Sequence, residues 1–177
     1  MMTMQRGSGI LMPIFSLPSP YGIGTLGQAA RDFVDFLRSA GQSWWQILPV
    51  GPTGYGDSPY QSFSAYAGNP YLIDLDLLRQ DGLLTQAEID NAFWGVDPGQ
   101  VDYGALYQNR LTVLSAACRR GWQRDTAAVE RFSSENRSWL PDYALFMALK
   151  RHFDGQPWQT WPEDVRLRRP EALERYR

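Results

Sequence analysis

A single apolar run, Trp44 to Val50, is the only stretch of this 177-residue chain that reads as a convincing buried β-strand. Apart from Gln46 it is apolar rather than alternating, which is typical of a strand covered on both faces. A helical pattern from Leu26 to Ala40 precedes it, with apolar residues recurring at helical spacing. We therefore expect an α/β arrangement here, with Trp44 and Trp45 in the core.

Two capping-box patterns predict where helices begin. Thr25 is followed three residues later by Gln28, and Thr85 is followed three residues later by Glu88. In a capping box the Ser or Thr side chain and the Glu or Gln side chain satisfy each other's backbone N–H groups. We expect the second helix to run to about Phe93.

The rest of the chain is mainly helical in its pattern. Long helices are predicted over Tyr103 to Arg120 and Asp142 to Phe153, with a shorter one over Thr126 to Phe132. Prolines between residues 7 and 24 exclude a long helix there and predict extended backbone with turns. The pattern predicts one strand and many helices, and the charge-rich end of the chain lies inside a helical pattern. We therefore expect the chain to be incomplete.

The loop after the strand, residues 51 to 71, has an unusual composition. It contains four Gly, three Pro, four Tyr and one Phe, and its single charged residue is Asp57. Loops held on a rigid scaffold commonly carry function. Aromatic rings beside Ser, Asn, Gln and Asp suit a neutral ligand rich in hydroxyls, so we expect a sugar-binding surface. Phe63 and Tyr66 are expected to pack in the core.

Charge and cysteine content exclude several classes of function. The net charge of −2 argues against a general nucleic-acid binder. A single cysteine, Cys118, excludes an internal disulfide framework and favours a reducing compartment, and its place in a helical pattern predicts a buried thiol. With no long apolar run and no signal peptide in the pattern, we expect a soluble cytoplasmic protein. His152 is the only histidine and is expected at a helix surface, so no metal site and no cofactor is predicted.

Seven segments resemble one enzyme family. The longest reads GPTGYGDSPYQSFSAYAGNPY, from Gly51 to Tyr71. The others are Arg6–Leu11, Ser16–Gly27, Trp45–Pro49, Val101–Tyr103, Trp139–Lys150 and Trp158–Pro162. Together they closely resemble the N-terminal part of 4-α-glucanotransferase, also called amylomaltase or disproportionating enzyme, of glycoside hydrolase family 77. A continuous match as long as the first segment is very specific.

The resemblance implies an incomplete (β/α)8 barrel. Residues 1–75 would supply the first strand, its flanking helix and a substrate-binding loop, and residues 76–177 an inserted helical subdomain leading back to the barrel. A complete barrel takes about 250 residues, and its active site lies at the C-terminal ends of the strands. The aromatic loop directly follows the strand, so the resemblance places it at that face.

The resemblance also implies a chemistry. Members of the family transfer a segment of an α-1,4-glucan to the 4-hydroxyl of another glucan or of glucose, with retention of configuration. Their catalytic Asp and Glu lie beyond residue 177, so no catalytic residue is assigned and the chain alone is expected to be inactive. The residues that carry over as substrate contacts are Tyr55, Asp57, Ser58, Tyr60 and Tyr107. Among these, Tyr60 resembles a ring that stacks on the sugar, and Tyr55 with Tyr107 resembles a second glucan site.

Alternatives remain open at this point. Asp57 could hold the turn rather than a ligand, and Tyr107 could be an ordinary surface residue. The chain could also be a stand-alone module that binds malto-oligosaccharides without cleaving them, or a remnant that does not fold. We expect malto-oligosaccharides and other α-1,4-glucans as partners, and neither nucleic acid nor membrane; no oligomeric state is predicted.

Overall fold

A computed structural model of the protein describes residues 6 to 176. The chain forms two compact units, Met1–Arg124 and Asp125–Arg177. The first unit holds a two-stranded parallel sheet of β1 (Gly9–Leu11) and β2 (Trp44–Gln46), in which Gly9 pairs with Trp44 and Leu11 with Gln46. Helix α1 (Gln28–Ser39) connects the strands, so the predicted α/β arrangement is present at the start of the chain.

The prediction of a strand buried on both faces is wrong. Trp44 is 69% exposed, and Ile47 and Val50 are also exposed. Trp45 points to the other face, where its ring packs edge-on against Phe33 of α1 at 5.0 Å and its indole N–H donates to the Met12 carbonyl at 2.7 Å. The reason is that β2 pairs only with β1 among residues 6 to 176 and α1 packs against the Trp45 side.

The first unit continues with three further helices, α2 (Leu75–Gln80), α3 (Gln86–Asp90) and α4 (Tyr103–Arg124). Short 3-10 turns lie at Ile14–Ser16 and Pro70–Leu72. One core cluster joins these helices to the start of the chain through Tyr21, Leu75, Leu84, Ile89, Val113 and Ala117. The long helix therefore anchors the segments that precede it in the sequence.

The two capping boxes have different outcomes. At Thr85 the box is confirmed: its hydroxyl accepts from the Glu88 N–H at 3.3 Å and its own N–H donates to the Glu88 carboxylate at 2.9 Å. At Thr25 the prediction is wrong, because the N-cap of α1 is Gly27 and has no side-chain cap. The buried Thr25 hydroxyl instead donates to Asp74 at 2.5 Å, a partner that local sequence does not reveal.

Helix α4 buries a stripe of five residues that does not include Cys118. The residues that it buries are Ala105, Leu106, Arg110, Val113 and Ala117. Cys118 is exposed, so the prediction of a buried thiol is wrong. A residue one step beyond Ala117 is rotated about 100° around the helix, which carries the thiol out of the packed stripe.

The second unit consists of helices α5 (Thr126–Glu135), α6 (Leu140–His152), α7 (Glu163–Arg166) and α8 (Pro170–Glu174), with a 3-10 turn at Trp158–Thr160. Its core consists of Leu145, Leu149, Trp161, Val165, Ala172 and Leu173. His152 ends α6 on the surface, as predicted, and its ring lies edge-on to Phe153 at 4.8 Å. None of the helices in residues 6 to 176 combines the length and apolarity that crossing a membrane needs.

We predict that Gly27→Ala destabilises the first unit by about 1–3 kcal/mol, the usual range for forcing extra atoms into a packed site. A Cβ at Gly27 would lie 1.9 Å from Asp74 Oδ2. Asp74 cannot move away freely, because it accepts hydrogen bonds from Thr25 and from the Leu77 N–H. Urea unfolding followed by circular dichroism measures the loss.

The matched control for that substitution is Gly68→Ala. No atom lies within 4 Å of the position that a Cβ at Gly68 would take. This variant is expected to unfold within about 0.5 kcal/mol of the unchanged protein, as most surface substitutions do. Equal losses in the two variants would show that the Asp74 contact is not what excludes a side chain at Gly27.

Candidate functional site

The aromatic loop has a closed base directly after β2. The Asn69 N–H donates to the Val50 carbonyl at 2.7 Å, which brings the two ends of the loop together. The Asn69 side chain then accepts from the Tyr71 N–H at 2.9 Å and caps the 3-10 turn that follows. A short antiparallel bridge joins Thr53 to Ser62 inside the loop. The loop is thus held by hydrogen bonds at its base and across its middle.

Asp57 lies in a tight turn at the centre of the loop. Its backbone is left-handed, with φ of 52°, and its N–H donates to the Gly54 carbonyl at 3.1 Å. Asp and Asn adopt this conformation more readily than most residues. Burial raises the pKa of the Asp57 carboxyl, while a hydrogen bond with the Thr53 side chain opposes the rise. The carboxyl lines a small cavity that Tyr103 and Asn69 also line.

The negative charge of Asp57 affects the pKa of two neighbouring tyrosines. Burial raises the pKa of the Tyr71 and Tyr103 hydroxyls, and the Asp57 carboxylate raises it further. Because Tyr103 begins α4, the turn of the loop faces the start of that helix. Both predicted roles of Asp57, turn support and ligand contact, are compatible with this position.

Tyr60 and Ser58 lie side by side on the same turn. The Ser58 carbonyl accepts from the Gln61 N–H at 3.1 Å, and its hydroxyl lies 3.4 Å from the Tyr60 N–H. The Tyr60 ring is 72% exposed and lines a groove of about 410 Å³. Backbone and small side chains of the loop form the rest of the groove, together with Pro49, Val50 and Tyr66. An open ring beside a shallow groove is a surface on which a flat ligand can stack.

The prediction that Phe63 and Tyr66 are core residues is wrong. Tyr66 is 73% exposed and shares the groove with Tyr60, and Phe63 is also on the exposed side. The Phe63 ring covers the backbone at Gly54, where an added Cβ would come within 2.8 Å of it. These rings therefore shape the loop itself, and Tyr66 adds a second exposed ring that the sequence did not single out as a site residue.

Tyr55 and Tyr107 both have exposed rings. Tyr55 is fully exposed within the loop, and Tyr107 projects from α4 with 68% of its surface exposed. Tyr107 is close enough to Tyr71 for their hydroxyls to interact electrostatically. Of the five predicted residues, Asp57, Ser58 and Tyr60 are therefore adjacent in one turn. Tyr107 reaches the site from the neighbouring helix, and neither Tyr55 nor Tyr107 lines the two cavities.

Sequence reasoning missed the residue that holds this arrangement together. Arg110 is fully buried in α4 and donates to the carbonyls of Tyr71 at 3.0 Å, Ile73 at 2.6 Å and Tyr21 at 3.5 Å. Its guanidinium carbon lies 5.5 Å from the centre of the Trp94 ring, and burial lowers its pKa to about 10. The signal was present, because Arg110 falls on the same helical stripe as Leu106 and Val113.

Within residues 6 to 176, no three His, Cys, Asp or Glu side chains gather into a group that could hold a metal ion. The loop itself offers one carboxylate, that of Asp57. Its chemistry is therefore that of a binding surface made of rings, hydroxyls and amides.

Comparison with known proteins identifies this combination of loop and fold. The model of the 4-alpha-glucanotransferase family, glycoside hydrolase family 77, matches residues 12–177. The 4-alpha-glucanotransferase of Streptococcus pneumoniae is 49% identical over 175 residues, which is 98% of this chain and 35% of that enzyme. That of Thermus thermophilus is 49% identical over 177 residues, covering 97% of this chain and 34% of the relative.

A solved structure agrees with the sequence matches. Amylomaltase from Streptococcus agalactiae in complex with acarbose superposes with a TM-score of 0.92 and 46% identity, over 98% of this chain and 35% of that one. The chain belongs to the 4-α-glucanotransferase family and corresponds to the N-terminal part of these enzymes, as the sequence predicted. It spans about a third of the length of the relatives it matches.

We predict that Asp57→Asn removes a pH-dependent loss of stability. A carboxyl whose pKa is raised in the folded state favours folding when protonated, so its contribution is lost as the pH rises from its ordinary pKa through the folded value. Relative to the unchanged protein, the Asn variant should therefore gain stability as the pH rises above the ordinary pKa of the carboxyl. Urea midpoints across this range measure the effect.

Asp35→Asn, on the exposed surface of α1, is the control for the loss of one negative charge. It should leave the slope of stability against pH unchanged. If the two variants shift the slope equally, net charge rather than the burial of Asp57 is responsible.

Proposed function

We propose that this chain is the part of a 4-α-glucanotransferase that begins the catalytic barrel and binds the glucan. The complete enzyme would transfer a segment of an α-1,4-glucan to the 4-hydroxyl of an acceptor glucan or of glucose, by a retaining double displacement. The observation that carries the proposal is the open groove beside Tyr60, on a loop whose base is fixed directly after β2. The family match supports the choice of glucan.

The fold part of the proposal is that β1, α1 and β2 belong to a (β/α)8 barrel. Because β1 precedes β2 and pairs with it in parallel, β2, within the stretch Trp44 to Val50, would be the second barrel strand rather than the first that the resemblance implied. The parallel pairing and the connecting helix support it, since parallel strands joined by a helix are the repeating unit of such barrels. The exposed apolar side chains of Trp44, Ile47 and Val50 support it too. A barrel strand is covered on both faces, so other elements of a complete barrel would bury these side chains.

Five side chains are proposed to contact the glucan. Tyr60 would stack on a sugar ring, and Ser58 would exchange hydrogen bonds with sugar hydroxyls. Asp57 would hold the turn and accept from a hydroxyl. Tyr55 and Tyr107 would form a second, remote glucan site, since both rings are open. A surface of this kind offers rings for stacking and few charges, which suits a neutral polyhydroxyl chain.

Catalysis by this chain alone is not expected. A retaining mechanism needs two carboxyl groups about 5–5.5 Å apart, one as nucleophile and one as acid and base. The loop at the groove supplies only Asp57, so the proposal assigns both catalytic carboxyls to parts of the enzyme outside this chain. We place the enzyme in the cytoplasm, which the content of one cysteine supports weakly.

Calorimetric titration of the chain with maltoheptaose tests the binding role, with cellohexaose as the β-linked control. Binding of the α-linked glucan alone is expected. Failure of both sugars to bind would contradict the assignment of the loop as a glucan site. A folded chain that by itself forms longer glucans from maltotriose would overturn the placement of the catalytic groups.

A non-catalytic binding module is the second candidate. The loop and the residues that hold its base all belong to this chain, which favours binding by the isolated chain. A module of this kind would bind maltoheptaose equally well, and would differ in staying inactive when joined to the remaining part of a relative's enzyme.

A further inference from the structure

Arg110 connects α4 to two other segments of the first unit through their backbone carbonyls. Its two terminal nitrogens donate to Tyr71 and Ile73, at the end of the aromatic loop, and to Tyr21, in the glycine-containing loop before α1. No carboxylate within residues 6 to 176 forms an ion pair with it, and its positive charge instead faces carbonyl dipoles and the Trp94 ring. Such a planar group with several fixed donors can bridge acceptors that diverge.

The acceptors at Tyr71 and Ile73 belong to the base of the aromatic loop. Asn69 closes the loop against Val50 and caps the turn that contains Tyr71. Two of the three hydrogen bonds of Arg110 are therefore to carbonyls that follow Asn69, the residue that closes the loop, within four positions. A movement of α4 relative to these carbonyls would be a movement relative to the loop.

The same helix carries the tyrosines that face the loop. Tyr103 and Tyr107 are four residues apart, and Tyr107 precedes Arg110 by three residues, so all three lie on neighbouring turns of α4. Tyr103 lines the cavity that holds the Asp57 carboxyl, and Tyr107 interacts with Tyr71. Arg110 thus bonds to the loop base from the same helix that presents Tyr107.

We infer that Arg110 is a positioning residue for glucan binding: it fixes the spacing between the groove at Tyr60 and the ring of Tyr107. The inference rests on the proposed function, because it assumes that both rings meet glucan. A glucan long enough to reach both surfaces gains from a fixed spacing, whereas a short one that occupies the groove alone does not. Arg110 touches no sugar itself.

Calorimetry with two chain lengths tests this. Arg110→Lys keeps the charge but replaces a fork of donors with a single ammonium. We expect its Kd for maltoheptaose to rise about tenfold, equivalent to ~1.4 kcal/mol. Its Kd for maltotriose should change less than about twofold, a difference of ~0.4 kcal/mol. Equal changes for both sugars, or none, would overturn the inference.

Arg120→Lys is the matched control on the same helix. Arg120 also bonds to a backbone carbonyl, that of Leu83 at 2.7 Å, and pairs with Glu88, but it ties α4 to the segment around α3 rather than to the loop. It should leave both dissociation constants unchanged. If it raises the maltoheptaose value as much as Arg110→Lys does, a general loosening of α4 is responsible and the inference fails.

A distance measurement separates this inference from the proposed function. Spin labels at Tyr60→Cys and Tyr107→Cys, in a Cys118→Ser background, are read by pulsed electron paramagnetic resonance. With Arg110 present, we expect a single narrow distribution of distances between the two labels, and with Arg110→Lys a broadened or shifted one. If the Lys variant does not fold, Arg110→Gln replaces it. If the unchanged chain binds no glucan, the proposed function fails. The distance measurement still shows whether Arg110 fixes the spacing between positions 60 and 107. Identical distance distributions would overturn the inference.

Discussion

Arg110→Met is expected to unfold the first unit at urea concentrations that leave the unchanged protein folded. Met has a similar length and no donors, so the substitution removes the partner of the buried Tyr71 carbonyl and of the partly buried Ile73 carbonyl. A buried acceptor without a partner costs about 1–3 kcal/mol, so the two together should cost about 2–6 kcal/mol, toward the lower end because the Ile73 carbonyl is only partly buried. Since small domains are stable by about 5–15 kcal/mol, this is a large share of the total.

Urea unfolding monitored by circular dichroism and tryptophan fluorescence measures the loss, with Arg120→Met as the comparison. The Arg120 side chain is 45% exposed, and its pair with Glu88 at 2.6 Å faces solvent. Exposed ion pairs contribute about 0–1 kcal/mol, so the control should lose far less. Similar losses in the two variants would mean that the buried guanidinium does not hold the loop base as described.

Tyr60→Ala is expected to weaken maltoheptaose binding by about 10- to 100-fold, equivalent to ~1.4–2.8 kcal/mol. The ring is open to solvent and lines the groove, so its loss removes a stacking surface while removing few contacts within the protein. Tyr60→Phe keeps the ring and should bind nearly as well as the unchanged chain. Isothermal titration calorimetry provides both dissociation constants.

Phe132→Ala is the control for the loss of an exposed ring. Phe132 lies on α5 of the second unit and is 52% exposed. Its truncation should leave the affinity for maltoheptaose unchanged. If Tyr60→Ala binds as tightly as this control, the groove beside Tyr60 is not the glucan surface.

Local chemistry made part of the fold predictable. The Thr85 capping box, the helix before β2 and the turns around the prolines depend on residues a few positions apart, and the structure confirms them. Thr25 shows the limit of such reasoning, because its hydroxyl bonds to Asp74, 49 residues away. A capping pattern cannot show that a distant carboxylate competes for the same side chain.

Burial was harder to predict than secondary structure. Trp44, Tyr66 and Cys118 are apolar or nearly so, yet each is exposed. An apolar side chain favours burial, but its actual exposure depends on which elements pack against it. Arg110 is the converse case: its charge predicts exposure, and only the spacing of its apolar neighbours on α4 indicates that it is buried.

The candidate site was predictable mainly through resemblance. Composition alone indicated a sugar-binding loop, and the family motifs selected four residues within it and Tyr107 on α4. The structure adds that Asp57, Ser58 and Tyr60 share one turn and that Tyr107 approaches from α4. Their contacts with glucan stay a prediction. Neither composition nor motif indicated Arg110, because its role depends on three carbonyls from two segments distant in sequence.

The most direct test of the central claim is a chimera in which this chain replaces the matching N-terminal part of the Streptococcus pneumoniae enzyme. Release of glucose and formation of longer glucans from maltotriose would be measured for the chimera and for the isolated chain. We predict that the chimera transfers glucosyl units, that Tyr60→Ala slows it, and that the isolated chain is inactive. A folded chimera without activity, or an isolated chain that is active, would contradict the account.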